Sequence, residues 1–360
     1  MKRVLLLTSI LLACNESPVG WDELGRNPGE VKVLEFQSIE SGCYGDYIPT
    51  GSGLNLILGE DEIYTSRALI QFDFSPLKEK SLDSLKLILY TNSLLSDTGI
   101  GFSVYPIISP WNEYQATWLL SESDEKWKSE GGDFNSDLII EGVIESDSST
   151  LSLPLESITL LSDTTIYGMI FIPKGEGIGV FYSKDGPESK RPRIIAYYEK
   201  KDTTLFPSQD AYIVRSEFKP EKDELWIGSG YAYRTYFRFD LDTIPTSATI
   251  TSAEITLRPE EVVSKSDTLG ISAHRLLDEW DTRYTEFNTS SEKWARFSKE
   301  DSVIKMDIRS LVQFWTSHPE SNFGLLLKIY PEANEFIRVR LSGEASLKVS
   351  YILAPKPRFK

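Results

Sequence analysis

The chain has 360 residues and a formal net charge of −16. That acid excess argues against nucleic acid, which selects a basic surface, and against a polybasic membrane patch. With two His and two Cys, neither a His-based zinc site, a catalytic triad nor a disulfide framework is expected. Stability must come from core burial, in a chain long enough for two domains.

Lys2 and Arg3 precede the apolar run Val4 to Ala13, which closes as Leu11-Leu12-Ala13-Cys14. A basic start, a short apolar stretch and a small residue at its end have the form of a secretory signal. The run is shorter than the roughly 20 residues needed to cross a bilayer. With Cys directly after the small residue, the segment resembles a bacterial lipoprotein signal. That resemblance implies cleavage after residue 13, acylation of Cys14, membrane attachment through the lipid, and an exported location in the cell envelope, at the outer membrane or cell surface. Acyl chains anchor firmly because each buried methylene contributes about 0.8 kcal/mol. Cys43 would then be the remaining thiol, leaving no intrachain disulfide. Residues 14–38 read as acylated Cys and tether, with Pro18, Pro28 and Gly29 favouring coil.

Beyond the tether one unit occurs twice. Gly59 matches Gly228, Arg67 matches Arg234, Gly101 matches Gly270 and Trp111 matches Trp280. Glu125-Lys126-Trp127 matches Glu292-Lys293-Trp294, and Tyr197 matches Tyr351 at a smaller offset. The change in offset places a longer loop in the first copy, between Trp127 and Leu151. The local signal in both copies is β. Residues 67–74 and 253–258 alternate apolar and polar side chains, and Pro76, Pro110, Pro245 and Pro259 punctuate the runs. Many short strands between turn signals predict an all-β chain of two tandem, jelly-roll-like antiparallel β-sandwiches. Two short helices are predicted. One runs over 308–317, with Asp307 before it and Leu311, Val312 and Trp315 on its apolar face; the other covers 154–161. The predicted boundaries are 39–199 for the first sandwich, 200–208 for a linker, 209–353 for the second sandwich and 354–360 for a tail.

Several strings carry a family resemblance. They are Phe239-Asp240-Leu241 with Ile244-Pro245, Trp111-Asn112-Glu113 with Thr117-Trp118, Gly131-Gly132-Asp133-Phe134, Asp307 to Trp315, Asn322 to Lys328, and Arg191-Pro192-Arg193. In this order, twice over, they resemble the DNRLRE family, a disaggregatase-related repeat that overlaps carbohydrate-binding module family 96. The resemblance implies non-catalytic β-sandwiches found beside polysaccharide lyases and hydrolases or on bacterial surfaces, some of which bind acidic polysaccharides. It therefore implies extracellular polysaccharide as the ligand, no cofactor, no metal and no enzymatic activity. The second copy lacks the Gly-Gly-Asp-Phe loop and the Arg-Pro-Arg string. Two alternatives stay open: a structural or protein-binding surface lipoprotein with other cell-surface proteins as partners, and a glycan-active enzyme.

Aromatic faces stack on sugar rings, and Trp and Tyr add a polar tip. Tyr114, Trp127, Tyr284 and Trp294 lie in polar sequence and are candidate ligand contacts. Trp111 and Trp280 recur at equivalent positions and are expected in the core. Arg191 and Arg193, with Lys190, form a local basic cluster suited to an acidic glycan. Asp73 and Asp240 close equivalent strands and are expected to cap turns rather than bind calcium. Arg67 and Arg234 are expected to pair with buried carboxylates rather than contact a ligand.

Overall fold

The computed structural model describes residues 31–94, 99–145, 147–221, 223–290 and 293–353. The signal, Cys14, most of the tether and the tail at 354–360 lie outside the described residues. The chain is all-β, as the alternating patterns predict. The first strand, β1 (Lys32–Tyr47), is followed by β2 (Asn55–Glu60), β3 (Tyr64–Phe72), β4 (Ser84–Leu94), β5 (Ile100–Pro106), β6 (Ile140–Ile144) and β7 (Ser148–Leu153). Helix α1 (Ser157–Leu161) leads to β8 (Met169–Lys174), β9 (Gly177–Tyr182), β10 (Arg193–Tyr198), β11 (Lys201–Leu205) and β12 (Pro207–Ser216). The second half has β13 (Leu225–Ser229), β14 (Tyr231–Phe239), β15 (Ala248–Leu257), β16 (Pro259–Val263), β17 (Thr268–Arg275), β18 (Lys293–Ser298) and β19 (Ile304–Asp307). Helix α2 (Arg309–Ser317), β20 (Leu325–Ile329), β21 (Ile337–Leu341) and β22 (Ser346–Leu353) complete it.

Both halves build the same two antiparallel layers. In the first, β11-β10-β4-β7 is one layer. The other runs β12-β3-β8-β5-β6, with β2 and β9 joining beside β3. In the second, β1-β22-β15-β19 matches the first layer. The chain of pairs β1-β14-β20-β17-β18, with β13 and β21 beside β14, matches the other. Alternation decides which side chains enter each core. On β15, Ala253, Ile255 and Leu257 are buried while Glu254 and Thr256 are not; on β4, Leu85, Leu87 and Leu89 are buried. Helix α2 seals one end of the second core with Leu311, Val312 and Trp315, and the Asp307 carboxylate accepts the Arg309 N–H at 2.9 Å.

The pairing corrects the predicted domain boundaries. Residues 200–208, expected as a linker, are β11 and the start of β12, and they complete the first sandwich. The first sandwich is therefore contiguous from β2 to β12. The second lacks a strand at its C-terminal end, and β1 fills that slot. Lys32 to Gln37 pair with β22, and Ser38 to Tyr47 pair with β14. β1 was assigned by sequence to the tether and the first copy, yet it belongs to the second sandwich. A period-two pattern fixes which face of a strand is buried but leaves its neighbour open.

The two sandwiches meet through aromatic side chains. Phe336 packs on Tyr64 with centroids 4.5 Å apart and on Tyr212 at 6.2 Å. Ser216 and Tyr233 share a 2.6 Å hydrogen bond, and the Leu54 N–H donates to Asn334 at 2.9 Å.

Candidate functional site

The predicted ligand contacts separate sharply. Trp127 is only 5% exposed, and its indole N–H donates to the Thr117 carbonyl at 2.9 Å. It is a packing residue in a satellite core with Trp111 and Trp118, so the prediction that it contacts ligand is corrected. Its loop is polar in sequence, but the Gly-Gly-Asp-Phe turn folds that loop back onto the sheet. Gly131 and Gly132 both have positive φ (85° and 102°), which glycine adopts without a Cβ clash. The Asp133 carboxylate accepts from Ser109 and from the backbone N–H groups of Lys128 and Ser129. Tyr114, Tyr284 and Trp294 are exposed as predicted, at 59%, 69% and 60%. Trp111 is buried, with its indole N–H on the Tyr167 carbonyl. Trp280, expected in the core, is half-buried and stacks on Tyr236 at 4.6 Å.

The paired motif residues behave less symmetrically. Asp73 caps its turn through the Ser75 N–H and hydroxyl, and Asp240 does so through the Asp242 N–H. Arg234 forms the expected buried ion pair with Glu332, through two hydrogen bonds of 2.9 and 3.1 Å, and Lys328 adds a third at 2.8 Å. Arg67 departs from the expectation. It donates to the Gly131 carbonyl and lies over the Trp118 ring at 4.8 Å.

The basic cluster is partly assembled. Arg191 donates through Nε to the Gly186 carbonyl at 3.4 Å, and Arg193 is likewise held by the backbone, its Nε on the Arg191 carbonyl at 3.4 Å and its Nη2 on the Ser189 carbonyl at 2.5 Å. Lys190 and Arg193 converge on Tyr90, at 4.9 and 5.0 Å from its ring, and Arg193 also reaches Phe206 at 5.8 Å. These groups stand on the outward face of the β11-β10-β4-β7 layer. Leu87, Leu89, Ile194 and Ala196 point into the core, so Lys86, Tyr90, Arg193 and Tyr197 alternate outward. Lys86 lies 5.5 Å from the Tyr197 ring. Among the described residues no carboxylate comes within ion-pair distance of Lys86, Lys190 or Arg193. The matching face of the second sandwich is neutralised: Lys305 pairs with Glu254 at 2.7 Å and Lys348 with Glu35 at 3.8 Å. Sequence reading found Lys190 and Arg193 but missed Lys86 and Tyr90 on β4, Tyr197 farther along β10, and Phe206 in the turn between β11 and β12. The register of β4 against β10 is the missing signal.

One buried acid stands apart from this face. Asp210, on β12, is fully buried against the turn that follows β9. One of its oxygens accepts the Lys184 N–H at 2.6 Å, and the other has no hydrogen-bond partner. Burial pushes its pKa from an ordinary 3.8 up to about 7. A raised carboxyl pKa means the folded state holds a proton that the unfolded state has released. The first sandwich should therefore lose stability as pH rises from 3.8 toward 7. Thermal melts across that range should show the slope, and Asp210→Asn should flatten it; an equally steep slope in the variant would assign it to another group.

Residues 186–350 match the TGF-beta propeptide family. The matched stretch takes in β10 to β21 and part of β22, and omits β1. No curated protein matches the chain. No described helix is long and apolar enough to cross a membrane.

Proposed function

We propose that the chain is a non-catalytic, lipid-anchored protein of the bacterial cell envelope that adheres to extracellular polysaccharide, with acidic glycan taken by the first sandwich. The observation that supports this most is the outward face carrying Lys86, Lys190 and Arg193 among Tyr90, Tyr197 and Phe206. In a chain of net charge −16, an unneutralised basic patch with stacking rings is the feature a uronate or sulfated sugar chain would use. The ring faces accept the apolar side of a sugar, and the cations accept its anionic groups.

Affinity electrophoresis against a polyuronate tests it. Lys190→Ala with Arg193→Ala should weaken binding by about tenfold or more, the scale of a single 1.4 kcal/mol contact. Wild-type binding should fall as salt screens the patch. Undiminished binding by the double variant, or no binding to any glycan by folded protein, would shift the reading to a structural or protein-binding role. The anchor has its own test. Cys14→Ser should move the protein out of the detergent phase in phase partitioning, and unchanged partitioning would remove the lipid from the proposal.

A further inference from the structure

The two sandwiches share a framework on the outward face of β5 and β17, and they fill it differently. In the first, Gly101 lies opposite Lys174, and Ser103 lies opposite Glu141. Lys174 and Glu141 reach across the glycine to form a 2.6 Å ion pair that covers the sheet. In the second, Ser272 lies opposite Trp294, and the Tyr330 N–H donates to the Gly270 carbonyl at 3.0 Å. Register thus makes Trp294 the counterpart of Glu141 and Tyr330 the counterpart of Lys174. This also corrects the sequence alignment that paired Trp294 with Trp127.

Where one sandwich has a salt bridge, the other has two large aromatic side chains that remain 60% and 56% exposed. The space between them is open. It is a groove of about 600 Å³ over Gly270, rimmed by Thr268 and Arg296. Gly270 is required there, since a Cβ would come within 2.2 Å of the Tyr330 carbonyl oxygen. The Arg296 guanidinium lies 5.5 Å from the Trp294 ring and steadies it. Beyond Tyr330 a second groove of about 340 Å³ continues over Pro49 and Lys328 toward the first sandwich.

We infer that Trp294 and Tyr330 form a sugar-stacking slot for a neutral hexose chain, distinct from the basic face of the first sandwich. Two exposed rings across a glycine floor suit the apolar face of a pyranose, and the Thr268 hydroxyl and Arg296 guanidinium suit its hydroxyl rim. Neutral sugar fits better than acidic sugar because both nearby lysines are already ion-paired, which leaves Arg296 as a single hydrogen-bond donor at the rim. Lys328 is paired with Glu332, and Lys299 with Asp267 at 2.6 Å. The groove's continuation past Tyr330 makes an oligosaccharide a better ligand than a single ring. This slot deepens the polysaccharide reading but has separate residues and a separate ligand.

Titration calorimetry with neutral gluco-, manno- and galacto-hexasaccharides, on the soluble form with Cys14→Ser, tests it. At least one should bind the parent protein, and Trp294→Ala should weaken that binding tenfold or more. Trp294→Glu with Tyr330→Lys, which installs the ion pair of the first sandwich, should abolish binding while the melting temperature holds. Lys190→Ala with Arg193→Ala should leave neutral binding intact. Failure of every neutral hexasaccharide to bind, or unchanged affinity in the Glu/Lys variant, would overturn the slot even if polyuronate binding persists. Capture of a proline-rich peptide in place of sugar would overturn the ligand class.

Discussion

Removing residues 32–47 should unfold the second sandwich and leave the first intact. β1 pairs with β22 over its first half and with β14 over its second, so its loss opens two hydrogen-bonded ladders at once. It also withdraws Tyr44 and the packing of Leu34, Phe36 and Cys43 against the second core. Each lost backbone bond costs about 1 kcal/mol, and the freed edges expose more. Summed over β1, that exceeds the roughly 5–15 kcal/mol by which a domain is stable. Hydrogen exchange should show protection lost over β13 to β22 and kept over β2 to β12. The peptide 32–47 added in trans should restore it, as in strand addition. Cys43 offers a second readout. Burial pushes its thiol up to about 11, and it donates to the Trp226 carbonyl at 3.3 Å. On the Cys14→Ser background alkylation should therefore be slow until β1 detaches. Full protection of β13 to β22 without β1 would show that the second sandwich closes by itself.

The placement of β1 marks the limit of what the sequence carries. Alternation, turn residues and the recurring Arg, Asp and Gly positions are local, and they predict strands, caps and two copies of one topology. Strand partners are not local. The segments 32–47 and 201–216 hold equivalent places in the two sandwiches, yet each follows the sandwich it completes only in the first copy. Without the register, the break between copies falls at residue 200 instead of after β12.

The candidate sites follow the same division. Tyr284, Tyr114 and Trp294 are exposed because they sit in polar stretches, which the sequence displays. Trp127 sits in an equally polar stretch and is buried, because Asp133 and two glycines fold its loop onto the sheet. The basic face needs β4 beside β10, which brings Tyr90 to Arg193, and the aromatic slot needs Trp294 and Tyr330 on opposite sides of β17. Their members lie far apart in the chain, and only the sheet brings them together.

Glu332→Ala should be the most damaging single change in the second sandwich, at about 3–5 kcal/mol, because it strands a buried guanidinium without its counter-charge. Arg234 and Glu332 are both almost fully enclosed, and Lys328 has no other carboxylate partner among the described residues. Glu332→Gln should cost less, since the amide oxygen still accepts one of the hydrogen bonds. The same pair sets an acid limb. Burial alone pushes the Glu332 carboxyl upward, but Arg234 and Lys328 outweigh it and hold its pKa below the ordinary 4.5. A depressed carboxyl pKa contributes stability above the unfolded value and loses it as pH falls through the folded one. Asp210 in the first sandwich has the opposite sign. Acidification should therefore loosen the second sandwich while it firms the first, and calorimetry near pH 4 should resolve two transitions. In Glu332→Ala the acid limb of the lower transition should be gone. If that limb survives the substitution, another carboxylate carries it and the Arg234 pair is not what holds the second core together in acid.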